Sequence, residues 1–395
     1  MKTKRPLSIY IHIPFCVRKC LYCDFLSAPA SGETMEAYAS CLCREIEEAG
    51  KLYPDHEVRT VFFGGGTPSI LEKEWICQIM ETLRRAFRLA EDAEITIEVN
   101  PGTVDADKLA AYYGAGINRL SIGVQSLQEN ELQALGRIHS TEDFFQTYSM
   151  AIKSGFNNIN VDLMSAIPEQ TLESCQDTLR QLLSLDRPPS HISAYSLIIE
   201  EGTPFYENTP VLPDEEMDRL FYKITNDILK AAGYHRYEIS NYAREGCECR
   251  HNRVYWERGE YLGFGIGAAS LMQETRFSNI RDLQTYLKLL SGEAADEPLT
   301  GQLTGQLTEH LRQEVSHLTE REQMEEFMFL GLRLTEGVSK KHFFKAFGKK
   351  FTDVYPGISE KLIREGLLVQ EGDRLRLTEL GLDVSNRVMA EFLFD

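Results

Sequence analysis

Cys16, Cys20 and Cys23 fall within eight residues of "YIHIPFCVRKCLYCDF" (residues 10–25), directly behind an alternating apolar run. Three thiols so close together suggest three chemistries. A structural zinc site closes with four ligands, typically as spaced cysteine pairs, and here the fourth would have to come from far along the chain. Thiols buried only for packing give no reason for three in so short a loop. A [4Fe–4S] cluster has four irons ordinarily held by cysteine thiolates. Three cysteines leave one iron free for a small molecule, and that reading accounts for the number three.

Further polar and glycine positions recur at the ends of apolar segments. "FFGGGTPS" places Gly64, Gly65, Gly66 and Thr67 behind one such segment, where glycines let backbone approach a ligand closely. Alone, the run reads as a tight strand-to-helix turn. Glu98 in "IEVNP", Gln125 in "GVQS", Arg137 in "GRIH" and Asp162 in "VDLM" each fall at or just after a similar segment. Polar side chains at carboxyl ends of strands point into the mouth of a β/α barrel.

The elements that must hold these residues are legible as a rhythm. "SIYIHI", "VRTVFF", "AEITIEV", "INRLSIGV", "NNINVDLM" and "HISAYSL" read as short buried strands. Helical stretches such as "MEAYASCLCREIEEAGKLY" and "EKEWICQIMETLRRAF" separate them, which predicts parallel strands with crossover helices. Spacing alone leaves an open sheet and a partial barrel equally open. A helix is expected from Asp214 to about Gly233. "TGQLTGQLT" (residues 300–308) reads as a surface insertion or linker. "TEREQMEEFMFLGLRLTEGVS" predicts an amphipathic helix with Phe327, Leu330 and Leu334 on related turns. Two short helices, two strands around Glu371-Gly372-Asp373 and a last helix then suggest a winged-helix unit.

Composition excludes several classes. The 395 residues are 43% hydrophobic, carry a formal charge of −18, and are too many for one ordinary core. Such acidity disfavours binding to nucleic acid, because phosphate is repelled. The C-terminal unit is balanced in charge, which gives its recognition-like helix no basic face for DNA. No run reaches the ~20 apolar residues of a membrane span, and the N-terminal stretch is too short and interrupted for a signal peptide. Nine scattered cysteines form no disulfide framework, so a cytoplasmic location is expected.

CxxxCxxC with Tyr22 ahead of the third cysteine resembles the radical S-adenosylmethionine (SAM) superfamily. That resemblance implies an α/β fold: a radical SAM partial (β/α)6 barrel, here with a C-terminal α+β winged-helix-like domain. It implies a [4Fe–4S] cluster on Cys16, Cys20 and Cys23 whose free iron chelates SAM, and reductive cleavage of the sulfonium to a 5′-deoxyadenosyl radical. Tyr10 would pack beside the cluster. Gly64, Gly65, Gly66 and Thr67 would meet the methionine amino group, and Glu98, Gln125, Arg137 and Asp162 would hold the rest of SAM.

"YIHIPFC", "GGGTP", "SIGVQS", "GRIH", "AYSL…EEGTPFY", "YEISNYA" and the C-terminal unit are similar to a narrower group: oxygen-independent coproporphyrinogen III dehydrogenase and its heme-chaperone relatives. The dehydrogenase carries a further cysteine two places after the third, where this chain has Phe25, and a longer N-terminal extension than the fifteen residues ahead of Cys16. "CRHNRVYW" (residues 249–256) matches a motif of the chaperone branch. There the resemblance implies heme binding, with His251 or Cys249 as axial ligand and aromatics on the porphyrin face. Without the resemblance, HNxxYW reads as a loop packed by its aromatics.

The expected function is therefore a heme chaperone that passes heme to apo-hemoproteins such as respiratory enzymes. The alternative is SAM-dependent oxidative decarboxylation of coproporphyrinogen III. The family allows for a homodimer and for peripheral membrane contact, and the composition decides neither. The expected organisation is a barrel over 1–213, a barrel-capping segment over 214–290, a linker over 291–319 and the C-terminal domain over 320–395.

Overall fold

The computed structural model describes residues 4–291 and 306–394. Six strands lie side by side in chain order, each parallel to the next: β1 (Arg5–Ile13), β2 (His56–Gly65), β3 (Leu89–Val99), β4 (Arg119–Gln125), β5 (Asn158–Ser165) and β6 (His191–Ser196). Crossover helices Gly32–Gly50, Lys73–Ala86, Ala106–Gly114, Thr141–Lys153 and Leu172–Leu183 join them. Four of these start where the sequence supplies an oxygen for the free amides of the first turn: Ser31, Asp105, Ser140 and Thr171 accept from Thr34, Lys108, Asp143 and Ser174. Beyond β6 the sheet adds β7 (His235–Arg236) and β8 (Asn241–Ala243). On the other side it adds β9 (Tyr261–Phe264), β10 (Ala269–Met272), β11 (Thr275–Asn279) and β12 (Arg312–His317). The order β12-β11-β10-β9-β1-β2-β3-β4-β5-β6-β8-β7 leaves two free edges, so the barrel is partial.

The strands are not the uniformly apolar segments that their sequences suggest. One face carries Ile9, Ile11, Val61, Phe63, Ile95, Ile97, Leu120, Ile122 and Val161, sealed in the main core. The other face turns Ser8, Thr60, Thr96, Arg119, Ser121 and Asn160 into the barrel, and these are buried as well. Buried polar groups must find partners. Thr60 donates to Ser8 Oγ at 2.7 Å, and Asn160 Nδ2 donates to Ser121 Oγ at 2.7 Å. The interior is polar, so it can receive a polar ligand.

The segment expected as a linker is partly structured. Residues 306–311 form a helix, and Arg312–His317 is the edge strand β12, paired antiparallel with β11 from Thr275↔His317 to Asn279↔Arg312. Most of the "TGQLTGQLT" repeat, residues 300–305, lies outside the described residues. The C-terminal unit has its own core around Phe343, Phe351, Tyr355, Leu362 and Phe392. Its sheet has the order β13-β15-β14, from Val338–Ser339, Arg374–Leu377 and Leu368–Glu371. The turn at Glu371-Gly372-Asp373 is where the sequence places it, and β13 is the strand that a two-residue segment gives no signal for. The helix Glu320–Gly331 ends before Leu334 and buries Met324 and Met328, with Phe327 and Leu330 only part-buried.

Candidate cofactor site

All six parallel strands end on the same side, and the loops there enclose a cavity of about 410 Å³. Cys16, Cys20 and Cys23 line one wall, half-buried in the loop that follows β1. Gly66 N–H donates to Ile13 O at 2.9 Å and Thr67 N–H to Phe15 O at 2.8 Å, which ties the glycine turn to the backbone just ahead of Cys16. A Cβ on Gly66 would lie 2.9 Å from Cys16 Sγ and 2.6 Å from Phe15 O, so only glycine fits. Gly65 has φ +116°, a backbone that L side chains avoid, and its N–H donates to Glu98 Oε2 at 3.2 Å.

The polar residues singled out from the sequence share this cavity with the thiols. Glu98, Gln125, Arg137 and Asp162 all line this cavity. Burial first, and the nearby Asp162 carboxylate second, push Glu98 up to about 8, while the Gly65 N–H opposes the shift. Burial also raises Asp162, against donors from Asn160, Ser193 and Ser121. Two buried carboxyl groups face a cavity that would welcome a cation. Arg137 supplies the opposite charge, donating to Gly123 O at 2.6 Å, Asn100 Oδ1 at 2.9 Å and Cys20 Sγ at 3.6 Å. Gln125 holds φ +68° at the end of β4, and its Oε1 accepts from Tyr195 at 3.1 Å.

Two residues here were not singled out from the sequence. Asn100 binds Thr67 Oγ1 through Nδ2 at 2.8 Å and Arg137 through Oδ1, linking the glycine turn to the arginine. Tyr195 orients Gln125. Each lies inside a segment already quoted, "IEVNP" and "AYSL", and the strand-end rule would have found both.

The donor set suits a [4Fe–4S] cluster. Among the described residues no three His, Cys, Asp or Glu groups gather as they would round a single metal ion. The three thiols instead rim a space much larger than an ion, with a cationic guanidinium against one sulfur and a glycine cradle against another.

Tyr10 shares a cavity with Asp24 and Phe25, the two residues that follow Cys23. It lines a second cavity of about 250 Å³ deeper in the barrel, which shares Glu98, Ser121 and Asp162 with the first. Its ring stacks near Phe62, with centroids 6.4 Å apart, and its hydroxyl meets His12 Nδ1 at 3.1 Å.

The stretch "RHNRVYW" is a helix, Arg250–Trp256, and not a loop. It plugs the amino-terminal end of the barrel. Glu94 on β3 accepts from Arg250 N at 3.1 Å and His251 N at 3.1 Å, placing a carboxylate on the helix N-terminus. His251 is 1% exposed, and both ring nitrogens are engaged: Nδ1 with Thr60 Oγ1 at 2.7 Å and Nε2 with the Tyr255 hydroxyl at 2.9 Å. Burial, then Arg119, lower it to about 3. Cys249 is fully buried, donates to Glu94 Oε1 at 3.7 Å, and is raised by burial to about 12. His251, Asn252 and Tyr255 line the cavity of about 250 Å³ that shares Glu98 and Asp162 with the cofactor site, whereas the Cys249 thiol faces Glu94.

A partial barrel of parallel strands with a cysteine-rimmed cavity at their carboxyl ends is the architecture of a radical SAM protein. The family model "Radical SAM superfamily" matches residues 10–182, and the model "HemN C-terminal domain" matches 318–384. The heme chaperone HemW of Bacillus subtilis is 35% identical, aligned over 98% of this chain and 99% of that protein. The heme chaperone HemW of Escherichia coli is 37% identical over 98% of each. The structure of coproporphyrinogen III oxidase (HemN) from Escherichia coli, a radical SAM enzyme, superposes with a TM-score of 0.81 over 98% of this chain and 90% of that one, at 24% identity. The chain belongs to the family of the heme chaperone HemW.

Proposed function

We propose that this protein binds heme and passes it to apo-hemoproteins, with a [4Fe–4S] cluster and SAM as resident cofactors. The observation that carries the reading is near-full-length similarity to two heme chaperones, together with Phe25 at the place of the dehydrogenase's extra cysteine. Cys16, Cys20 and Cys23 would hold the cluster. Gly64, Gly65, Gly66 and Thr67 offer backbone and hydroxyl groups to the methionine end of SAM. Glu98 and Asp162 suit its amino and ribose groups, Arg137 its carboxylate, and Gln125 its remaining polar edge. When bound, cluster and SAM supply reductive cleavage of the sulfonium. The chain's own part is to neutralise the sulfonium and ammonium with buried carboxylates and to keep water away. Tyr10 walls the deeper cavity behind that site.

The acceptors fit the class of respiratory hemoproteins. A cytoplasmic location agrees with the finding that no helix among the described residues is long and apolar enough to cross a membrane. The functional units follow the boundaries 1–213, 214–290, 291–319 and 320–395, with β12 from the third joined to the sheet of the first. Homodimerisation and membrane contact belong to the same reading.

One experiment separates this from the enzymatic alternative. The anaerobically reconstituted, reduced protein is incubated with SAM, coproporphyrinogen III and an electron acceptor beside an active dehydrogenase. A second sample receives hemin and then an apo-hemoprotein. Hemin bound at about one per chain and handed over, with no protoporphyrinogen formed, is the expected result. Catalytic protoporphyrinogen formation without hemin binding refutes it.

A further inference from the structure

Arg119 opens β4 and turns into the barrel, where it is 1% exposed. No described residue accepts a hydrogen bond from its guanidinium or forms an ion pair with it, and its Nε is a buried donor without a partner. Its register partner on β3, Thr96, is fully buried, and that hydroxyl is unpartnered as well. The carboxylates that attract the guanidinium, Glu94 and Asp162, do so from beyond ion-pair distance. Both are engaged elsewhere. Asn160 and Ser121 donate to Asp162 at 2.7 and 3.2 Å, and the amides of Arg250 and His251 each donate to Glu94 at 3.1 Å. A buried charge is costly unless it is paired and hydrogen-bonded. The partner that the chain does not supply must come from outside it.

Space for that partner lies beside it. Arg119 lines the inner cavity of about 250 Å³, together with Ser121, Ser193 and Asn252. The volume is several times the ~30 Å³ share of one water and below the ~300–1,000 Å³ of drug-sized sites. It fits a small polyatomic molecule. The rings of Tyr10 and Phe62 form an apolar part of the wall, and Glu98 and Asp162 border it on the side of the cofactor site. Tyr10 and Tyr255 also line an adjoining cavity of about 400 Å³, which carries the exposed side chains of Asp24 and Arg281.

We propose that the inner cavity is a second ligand site, which takes a small monocarboxylate with its anionic end on Arg119 and its short hydrocarbon part against Tyr10 and Phe62. The site is distinct from the place given to SAM and does not rest on the reading of the protein as a heme chaperone. A guanidinium offers parallel N–H donors that match the two oxygens of a carboxylate. One negative charge balances one guanidinium. The second charge of a phosphate would face Glu98 and Asp162. A halide would fill little of the space and leave the aromatic wall without a partner.

The test uses the full-length protein with its cluster, dialysed to equilibrium against radiolabelled propionate at constant chloride. Wild type should bind one propionate per chain, saturably, and its melting temperature should rise with propionate concentration. Arg119→Met keeps the side-chain length and removes the charge; it should weaken binding by roughly tenfold or more and abolish the rise in the melt. Arg119→Lys keeps the charge and loses the planar fork, so it should weaken binding several-fold, and it carries the test where the methionine variant does not fold. Arg137→Met should leave propionate binding in place. Absence of saturable binding to wild type, or affinity unchanged in both Arg119 variants, overturns the site. Binding lost with Arg137→Met and kept with Arg119→Met moves the carboxylate to the cofactor cavity and overturns it too. Inorganic phosphate bound more tightly than propionate overturns the assignment of a monocarboxylate.

Discussion

Gly66→Ala tests how the cluster loop is held, because it alters no thiol. The new Cβ would sit 2.6 Å from Phe15 O, 2.9 Å from Cys16 Sγ and 2.9 Å from Ser27 Cβ. An ordinary contact begins at 3.4 Å, so the carbonyl must retreat by about 0.8 Å and the sulfur by about 0.5 Å. Neither can retreat freely. The carbonyl of Phe15 accepts from Thr67 N, and Gly66 N is itself bound to Ile13 O. Overpacking costs about 1–3 kcal/mol, and weakening one of these hydrogen bonds adds about 1 kcal/mol. A total near 2–4 kcal/mol should lower the melting temperature by roughly 4–16 °C for a domain of this size. Displacing Cys16 should also leave far less iron and acid-labile sulfide after anaerobic reconstitution. Gly32→Ala is the control, since a Cβ there meets nothing within 4 Å. A Gly66→Ala protein with a full cluster and an unchanged melt would refute the cradle.

Two further predictions concern buried titratable groups. Glu98 sits at about 8 in the folded chain, above the ~4.3 of an unfolded glutamate, so folding takes up a proton. The stability this contributes is complete below about pH 4 and is lost as pH rises through 8. Thermal melts of cofactor-free Glu98→Gln should therefore lie closest to wild type at about pH 4 and exceed it at about pH 9; parallel pH profiles would remove the carboxyl from the account. His251→Asn breaks the contacts with Thr60 and Tyr255 and the stacking on Phe62, whose centroid is 5.2 Å away. It should cost about 2–4 kcal/mol in denaturant titrations, and a variant as stable as wild type would remove these contacts from the account.

The sequence carries the six-fold strand–helix rhythm plainly, because buried parallel strands and crossover helices differ in length and period. The gathering of Cys16, Gly66, Glu98 and Asp162 round one cavity was legible for the same reason: they fall at or near carboxyl ends of parallel strands, and parallel strands share their ends; Arg137, expected at a strand end, instead follows the helix Glu129–Ala134 beyond β4. The direction of His251 was not. In a helix of seven residues, which side faces the barrel depends on Glu94, a residue more than 150 positions away. A cleft of about 490 Å³ between the amino ends of β1 and β2, the helix Arg250–Trp256 and the C-terminal unit was hidden too, because its walls come from distant parts of the chain. Such a site has no local signature.

The two sites sit at opposite ends of the same strands. Ser8 and Thr60, near the starts of β1 and β2, border the cleft, whereas Cys16 and Gly66 follow the ends of those strands and border the cofactor cavity. At ~3.3 Å per residue, the stretch from Ser8 to Ile13 at the end of β1 spans about 16 Å. Between them lies a polar interior holding the cavity of about 250 Å³, which His251 lines and which shares Glu98 and Asp162 with the cofactor site. Cys20→Ser should lose iron and sulfide on reconstitution and still bind hemin with the affinity and Soret band of the intact protein. Adding hemin to wild type should leave the signal of the reduced cluster unshifted. Loss of hemin binding in Cys20→Ser, with the melt unchanged, would mean that hemin binding needs the cluster loop, and the independence of the two sites would fall.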